Sequence, residues 1–491
     1  ASSGGFYNNV ATQSLRFEPT GFLELTRTSS PADTNNKIKT ISMWVKRGLL
    51  STYQSLFSNS DGSNEYYLLY FDTGDKLNFV ASQARANVIS TNVFRDVSAW
   101  YHITLVIDTT QATNTNRIKL FVNNGDNLIS ASSSIFPSQN ITTIAYIAPP
   151  SGTHYPTIGD FKNNSSNQLS AYLSDVNFID GTALAPSSFG ETKNGIWIPI
   201  DTSGLTFGTN GFRLKFDQVG VGTASTSTIG ADTSGNTNHW TSSGIVASDC
   251  NMPDSPENNF ATLNPLDDDG HTNAEGNLKV SGNVIYGHEK STFAVTSGKW
   301  YFEGKLATQQ NDTAIGLANQ NASTLGHYLG QTTDSVGYLS DGRFFYNGSS
   351  TSYTSWTTTD VGQIAFDADT GEIWIGKNNT WQNSGDPANG TGEVVTVSWS
   401  EFIVSARTVG SGAMVFNFGQ DASFAGAITA GTETDGNGYG LFKYAPPSGF
   451  LALCTANLPE PTIGANSDTQ ADDHFNTVLY TGNESSRSIA V

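Results

Sequence analysis

Gly298-Lys-Trp-Tyr-Phe-Glu-Gly304 opens a run of alternation: Trp300, Phe302 and Leu306 fall on one face of an extended strand, and Lys299, Tyr301, Glu303 and Lys305 on the other. Such a period of two marks a strand with one face toward a core. Further along lie Ile315-Gly-Leu-Ala318, Val336-Gly-Tyr-Leu-Ser-Asp-Gly342, Phe366-Asp-Ala-Asp-Thr-Gly-Glu-Ile-Trp-Ile-Gly-Lys377 and Val415-Phe-Asn-Phe-Gly-Gln420. All are short and rich in β-branched or aromatic residues, and Asp367-Ala-Asp-Thr-Gly371 supplies the turn of a hairpin.

Composition points the same way. Glycine is abundant (49 residues), charged residues are few (14%), and Ser, Thr and Asn are plentiful, as in short strands joined by many turns. A length of 491 residues exceeds one core and predicts two or three domains. Lys+Arg 24 against Asp+Glu 44 leaves a net charge of −20 without a basic cluster, which disfavours nucleic-acid and anionic-membrane partners. The two cysteines, Cys250 and Cys454, lie far apart and suggest neither zinc nor a disulfide framework. No apolar run is long enough for membrane insertion, and Ala1 to Phe6 lack the regions of a signal peptide, so export is not expected.

The alternation divides the chain. In residues 1–191, Ile41, Met43 and Val45 share a face, as do Ile103, Leu105 and Ile107, and Ile118, Leu120 and Val122, which predicts a first antiparallel sandwich. Residues 192–257 read as a β-rich connector packed on the first sandwich, with one evident strand at Gly211-Phe-Arg-Leu-Lys-Phe216. Residues 258–458 hold the second sandwich. Residues 459–491 read as a polar linker and, from His474, the first strand of a further module, so a native polypeptide continuing past Val491 is expected.

The ordered phrases from Gly298 to Gln420 resemble a SPRY domain, which implies a β-sandwich that displays recognition loops. Thr40-Ile-Ser-Met-Trp-Val45, Trp100 to Asp108, Ile118 to Val122 and Tyr172 to Phe178 resemble a laminin-G-like, concanavalin A-type jelly roll. The expected fold class is therefore all-β, two antiparallel sandwiches with a β-rich connector. Together with Val93 to His102, Asp175 to Leu184, Ser187 to Glu191, Asp254 to Pro265 and Phe475 to Gly482, the pairing is similar to virion proteins of tailed, especially marine, bacteriophages. That resemblance implies an exposed tail fibre, tail appendage or head fibre, assembled in the host cytoplasm. Its partners would be other virion proteins and a host cell-surface polysaccharide, and phage fibres are commonly trimers.

A fold does not fix a function. Concanavalin A-type folds also host glycanases, which need two carboxylates across the sugar bond. No strand here carries spaced acids, and Asp367 to Glu372 reads as turn chemistry, so no enzymatic activity is expected. The seven histidines lack a HExxH spacing or partner cysteines, and no G-x-S-x-G elbow is present. No metal is required. Calcium is the cofactor that Asp232-Thr-Ser-Gly-Asn-Thr-Asn238 would accept, through Asp232, Asn236 and Asn238, although Asx-turn hydrogen bonding explains the same residues. Asp61-Gly-Ser-Asn64 is a lesser version of that pattern.

Sugar recognition stacks an aromatic face on the ring while polar groups bond its hydroxyls. Tyr346, Tyr353, Trp356 and Trp381 sit in polar, loop-like surroundings and are the carbohydrate-binding candidates. The competing reading has Trp356 and Trp381 capping the sandwich core. Three functions remain open: glycan adhesion, a purely architectural fibre or decoration protein, and a polysaccharide depolymerase.

Overall fold

A computed structural model describes residues 6–19, 24–27, 37–60, 66–82, 85–142, 155–161, 167–282 and 285–459. The strand expected from His474 and the loop Asp61 to Asn64 lie outside these residues.

Among the described residues, the first sandwich stacks a six-stranded sheet on a seven-stranded one. The six-stranded sheet runs Leu15–Phe17, Ala171–Asp180, Ile38–Arg47, Trp100–Asp108, Ile118–Val122, with Phe212–Leu214 also on Ala171–Asp180. The inward rows anticipated from alternation pack in its core: Ile41, Met43, Val45, Ile103, Leu105, Ile107, Ile118 and Leu120. Residues 192–257 pack on the first sandwich and add a strand to each of its sheets. Phe212–Leu214 pairs with Ala171–Asp180, and Thr241–Ser243 pairs with Glu24–Thr26 of the seven-stranded sheet. Phe212, Leu214 and Trp240 enter the first core, Trp240 edge-on to Phe212 at 4.9 Å between ring centres.

The second sandwich faces a nine-stranded sheet, centred on Lys299–Thr308, with a six-stranded sheet running Glu289–Val295, Phe402–Arg407, Ala314–Ala318, Ser335–Leu339, Arg343–Tyr346, Ser349–Ser352. Trp300, Phe302 and Leu306 point into its core as expected. The opposite face departs from the expectation of solvent. Tyr301 and Glu303 are fully buried because residues 433–454 fold back over it, with Phe442, Phe450 and Ala452 packed on Tyr301. Glu303 fastens that segment by accepting the Lys443 N–H at 2.9 Å, the Tyr444 N–H at 2.8 Å and the Tyr301 hydroxyl at 3.0 Å. Trp356 is likewise fully buried in the core, its indole N–H donating to the Leu339 carbonyl at 2.9 Å. Its place as a sugar-stacking candidate is thereby corrected: a ring enclosed by Tyr338 and the core has no face to offer a ligand.

The two sandwiches meet on a charged row. Arg16 lies opposite Tyr172, Tyr172 opposite Lys46, and Lys46 opposite Trp100, across four neighbouring strands. One residue along, Leu15, Leu173 and Val45 point the other way into the core. Each outward side chain meets a later segment of chain. Arg16 pairs with Asp249 at 3.0 Å, Asp421 at 3.1 Å and Glu275 at 3.2 Å. Lys46 donates to Asp254 and Asn259, both at 2.7 Å, and to the Phe260 carbonyl at 2.8 Å. The Tyr172 hydroxyl donates to the Gly276 carbonyl at 3.1 Å and the Trp100 indole to Asp254 at 3.1 Å. Gly276 has a φ of +63°, and a Cβ there would overlap the Tyr172 ring, so only glycine lets this backbone lie so close to the ring.

Three outcomes are expected in denaturation experiments. Arg16→Met leaves Asp249 and Asp421 buried without their cation and should cost about 3–5 kcal/mol in urea unfolding. Trp356→Ala empties a core site and should also cost about 3–5 kcal/mol. The third concerns pH. Burial, reinforced by Asp268 and Asp267, raises the Glu289 carboxyl from 4.5 to about 8. The folded chain therefore keeps this proton when the unfolded chain has lost it. The resulting stability is complete below about pH 4.5 and is lost as pH rises through about 8. Melting temperatures of Glu289→Gln should fall less than wild type's over that window, and parallel profiles would contradict this.

Candidate functional site

The side chains singled out for sugar binding are divided between the two sheets of the second sandwich. Phe344 and Tyr346 are on the core-facing side of the strand Arg343–Tyr346, and Tyr353 packs edge-on to Phe344 at 6.5 Å between ring centres. Trp381 belongs to the other sheet, where it pairs with Gly376 and packs against Tyr301 at 6.4 Å. Tyr346, Tyr353 and Trp381 are each half-buried.

The calcium candidates are also corrected. Asp232 accepts from the backbone N–H groups of Arg213, Ser234 and Asn238 at 2.8–2.9 Å, so both its oxygens cap the loop. Asn236 turns its amide N–H toward the Gly208 and Gly211 carbonyls, and Asn238 accepts from the Arg27 guanidinium at 2.7 Å. A cation among these groups would confront amide hydrogens and a guanidinium instead of free oxygens. Among the described residues, no three His, Cys, Asp or Glu side chains group as a metal site.

Two serine–histidine pairs are absent from any sequence motif, and their hydrogen bonds run the wrong way for nucleophile activation. His102 Nδ1 accepts from the Trp197 indole at 3.1 Å, so Nε2 carries the proton and donates to Ser42 Oγ at 2.8 Å. Ser405 Oγ donates to the Glu289 carbonyl at 2.7 Å, which leaves it an acceptor for His288 Nδ1 at 2.7 Å. Burial lowers both imidazoles to about 3. Neither is a base facing a hydroxyl proton.

The surface with convergent polar groups lies at the seam between the sandwiches. There a cleft of about 480 Å³ is walled by Tyr7 and Gln13 of the N-terminal segment, Asn251 and Asn258 of the linking segment, and Thr434 and Tyr439 of the second sandwich. Glu257 backs it. One of its oxygens accepts the Val10 and Ala11 N–H groups at 2.9 and 3.2 Å, and the other has no hydrogen-bond partner among the described residues. Burial, opposed by these N–H donors, raises the Glu257 carboxyl, and burial followed by Glu257 raises the Tyr7 hydroxyl. An adjoining cleft of about 640 Å³ shares Asn251 and Leu441 but is lined mainly by small and apolar side chains such as Val219, Val246, Met252 and Ala422. It is larger, yet has few polar groups with which to orient a ligand.

Two tyrosines and four amides, Asn9 among them, around one cleft are suited to a neutral polyhydroxylated ligand, through aromatic faces and hydrogen bonds that both donate and accept. No spacing in the sequence announces this set, because its members come from residues 7–13, 251–258 and 434–439 and meet only when the sandwiches dock.

Comparison with known proteins accords with the architecture. Residues 24–124 match the Laminin_G_3 model of the concanavalin A-like lectin/glucanases superfamily, and residues 299–390 match the SPRY domain model. Similar solved structures include the SPRY domain of human HERC1, at 17% identity and a TM-score of 0.27, covering 32% of this chain and 97% of that one. The TRIM65 PSpry domain is 10% identical with a TM-score of 0.26, covering 32% and 88%. Stonustoxin is 16% identical with a TM-score of 0.26, covering 32% of this chain and 27% of its own. No curated protein matches the chain. The chain thus contains a concanavalin A-like domain followed by a SPRY domain, each an antiparallel β-sandwich.

Proposed function

We propose that this protein is an adhesion component of a tailed-phage virion, a tail fibre, tail appendage or head fibre, and that its seam cleft holds a glycan of the host surface. The observation that carries the adhesion reading is the cleft itself, with Tyr7 and Tyr439 set among Gln13, Asn251 and Asn258. The virion setting rests on the resemblance of sequence phrases, among them Val93 to His102 and Asp254 to Pro265, to those of tailed-phage virion proteins. Lectin-like and SPRY domains in tandem accord with a binding role.

Binding of the purified chain to polysaccharide extracted from cells that the phage adsorbs to tests the reading. Wild type should bind saturably. Tyr439→Ala and Asn251→Gly should each weaken binding about tenfold or more. Asn251 has a φ of 52°, which glycine also adopts, so Asn251→Gly should keep the melting temperature near that of wild type. Absence of binding would leave the architectural reading, and release of reducing ends would identify a depolymerase. Antibody labelling of virions locates the protein on tail or capsid.

A further inference from the structure

Arg16 is shared among more acids than it can balance. Three carboxylates pair with it: Asp249 of the linking segment, and Glu275 and Asp421 of the second sandwich. A fourth acid, Glu18, follows the strand Leu15–Phe17 of the first sandwich and is buried beside them. Lys279 acts on Glu275, and Lys46 is already matched by Asp254, so four acids face two cations here.

Hydrogen bonding decides which acid is served worst. Asp421 also accepts the Ser423 and Ala425 N–H groups, at 3.0 and 2.8 Å, and Asp249 the Val246 N–H at 3.0 Å. Glu18 forms no ion pair among the described residues. One of its oxygens accepts the Gly276 N–H, from the turn that joins Thr272–Ala274 to Lys279–Ser281 in the second sandwich. The other oxygen is buried without a hydrogen-bond partner among the described residues. A carboxylate so placed is costly, whereas a neutral carboxylic acid is tolerated. Burial, then Glu275, raise Glu18 from 4.5 to about 7, against the opposing pull of Arg16 and of the Gly276 and Glu275 N–H groups. Burial, opposed by Arg16 and reinforced by Asp249 and Asp421, raises Glu275 as well, and burial keeps the neighbouring Tyr172 hydroxyl protonated.

We propose that Glu18 is a proton-operated latch of the seam: as the neutral acid it closes the Gly276 turn onto the first sheet, and on ionising it loosens that contact. The docked state holds a proton that the separated state releases. Closure is therefore complete below about pH 4.5 and is lost as pH rises through about 7. The latch concerns the docking of the sandwiches and does not rest on glycan binding, although the seam cleft, walled from both sides, keeps its shape only while the latch is closed.

Hydrogen exchange of the purified chain, followed by mass spectrometry on overlapping peptides, tests this at the Gly276 N–H. Corrected for intrinsic rates, protection there should fall about fiftyfold from pH 5 to pH 8. At each pH, Gly276 should exchange faster than Leu263, whose N–H donates to the Asn277 carbonyl at 2.9 Å, and faster than the core strand from Ile103 to Ile107, because the seam opens while both sandwiches stay folded. Glu18→Gln keeps an oxygen for Gly276 and cannot ionise, so its protection should be level over that range. Glu275→Gln removes the like charge that acts on Glu18 and should move the midpoint to lower pH. Wild-type protection indifferent to pH, a Glu18→Gln profile parallel to wild type, or an unmoved midpoint in Glu275→Gln overturns the proposal. Exchange of Gly276, Leu263 and the core strand at one protection would show that Gly276 opens only by unfolding, and also overturns it.

Discussion

Burying the Arg16 guanidinium and the Lys46 ammonium on the outer face of a sheet costs several kcal/mol per ion, and the fold offsets that cost only by bringing later carboxylates to meet them. Arg16 finds Asp249 and Asp421, and Lys46 finds Asp254. Tyr172, between them in the row, has the Lys46 ammonium 5.9 Å from its ring centre. For Arg16, burial acts to lower the pKa, but Asp421, Asp249 and Glu275 more than reverse it, so the guanidinium is held firmly charged. The sheet consequently has no solvent-facing side at this row. A hydrophobic interface would tolerate sliding, whereas hydrogen-bonded charges fix one register of domain against domain.

Docking by charge also explains where the seam cleft forms. Asp249 and Asp254 both belong to the segment that joins the sandwiches, so the ion pairs that hold the domains together also pin that segment to the first sheet. Asn251 lies between them and Asn258 just beyond, and both are presented at the cleft. On the far wall, Tyr439 is positioned by its N–H on Asp435, whose other oxygen accepts the Ala452 N–H, tying the wall to the segment folded over Tyr301. The cleft is thus built from rigidly held backbone, which lowers the ordering cost of binding.

What the sequence made legible follows the same physics. Inward rows such as Ile103, Leu105 and Ile107 were readable because each strand reports its core face by its own alternation. Outer faces were not. Lys299, Tyr301, Glu303 and Lys305 look like a solvent side, yet Glu303 is buried by residues more than a hundred positions later. Trp356 has polar neighbours in sequence and apolar neighbours in space, so composition placed it in a loop while packing placed it in the core. The connector's packing on the first sandwich was readable but its pairing was not: strands as short as Phe212–Leu214 and Thr241–Ser243 show little period, and their places in the two sheets are decided by partners some 35 and 217 residues away. The seam cleft escaped notice because it gathers side chains from three segments far apart in sequence.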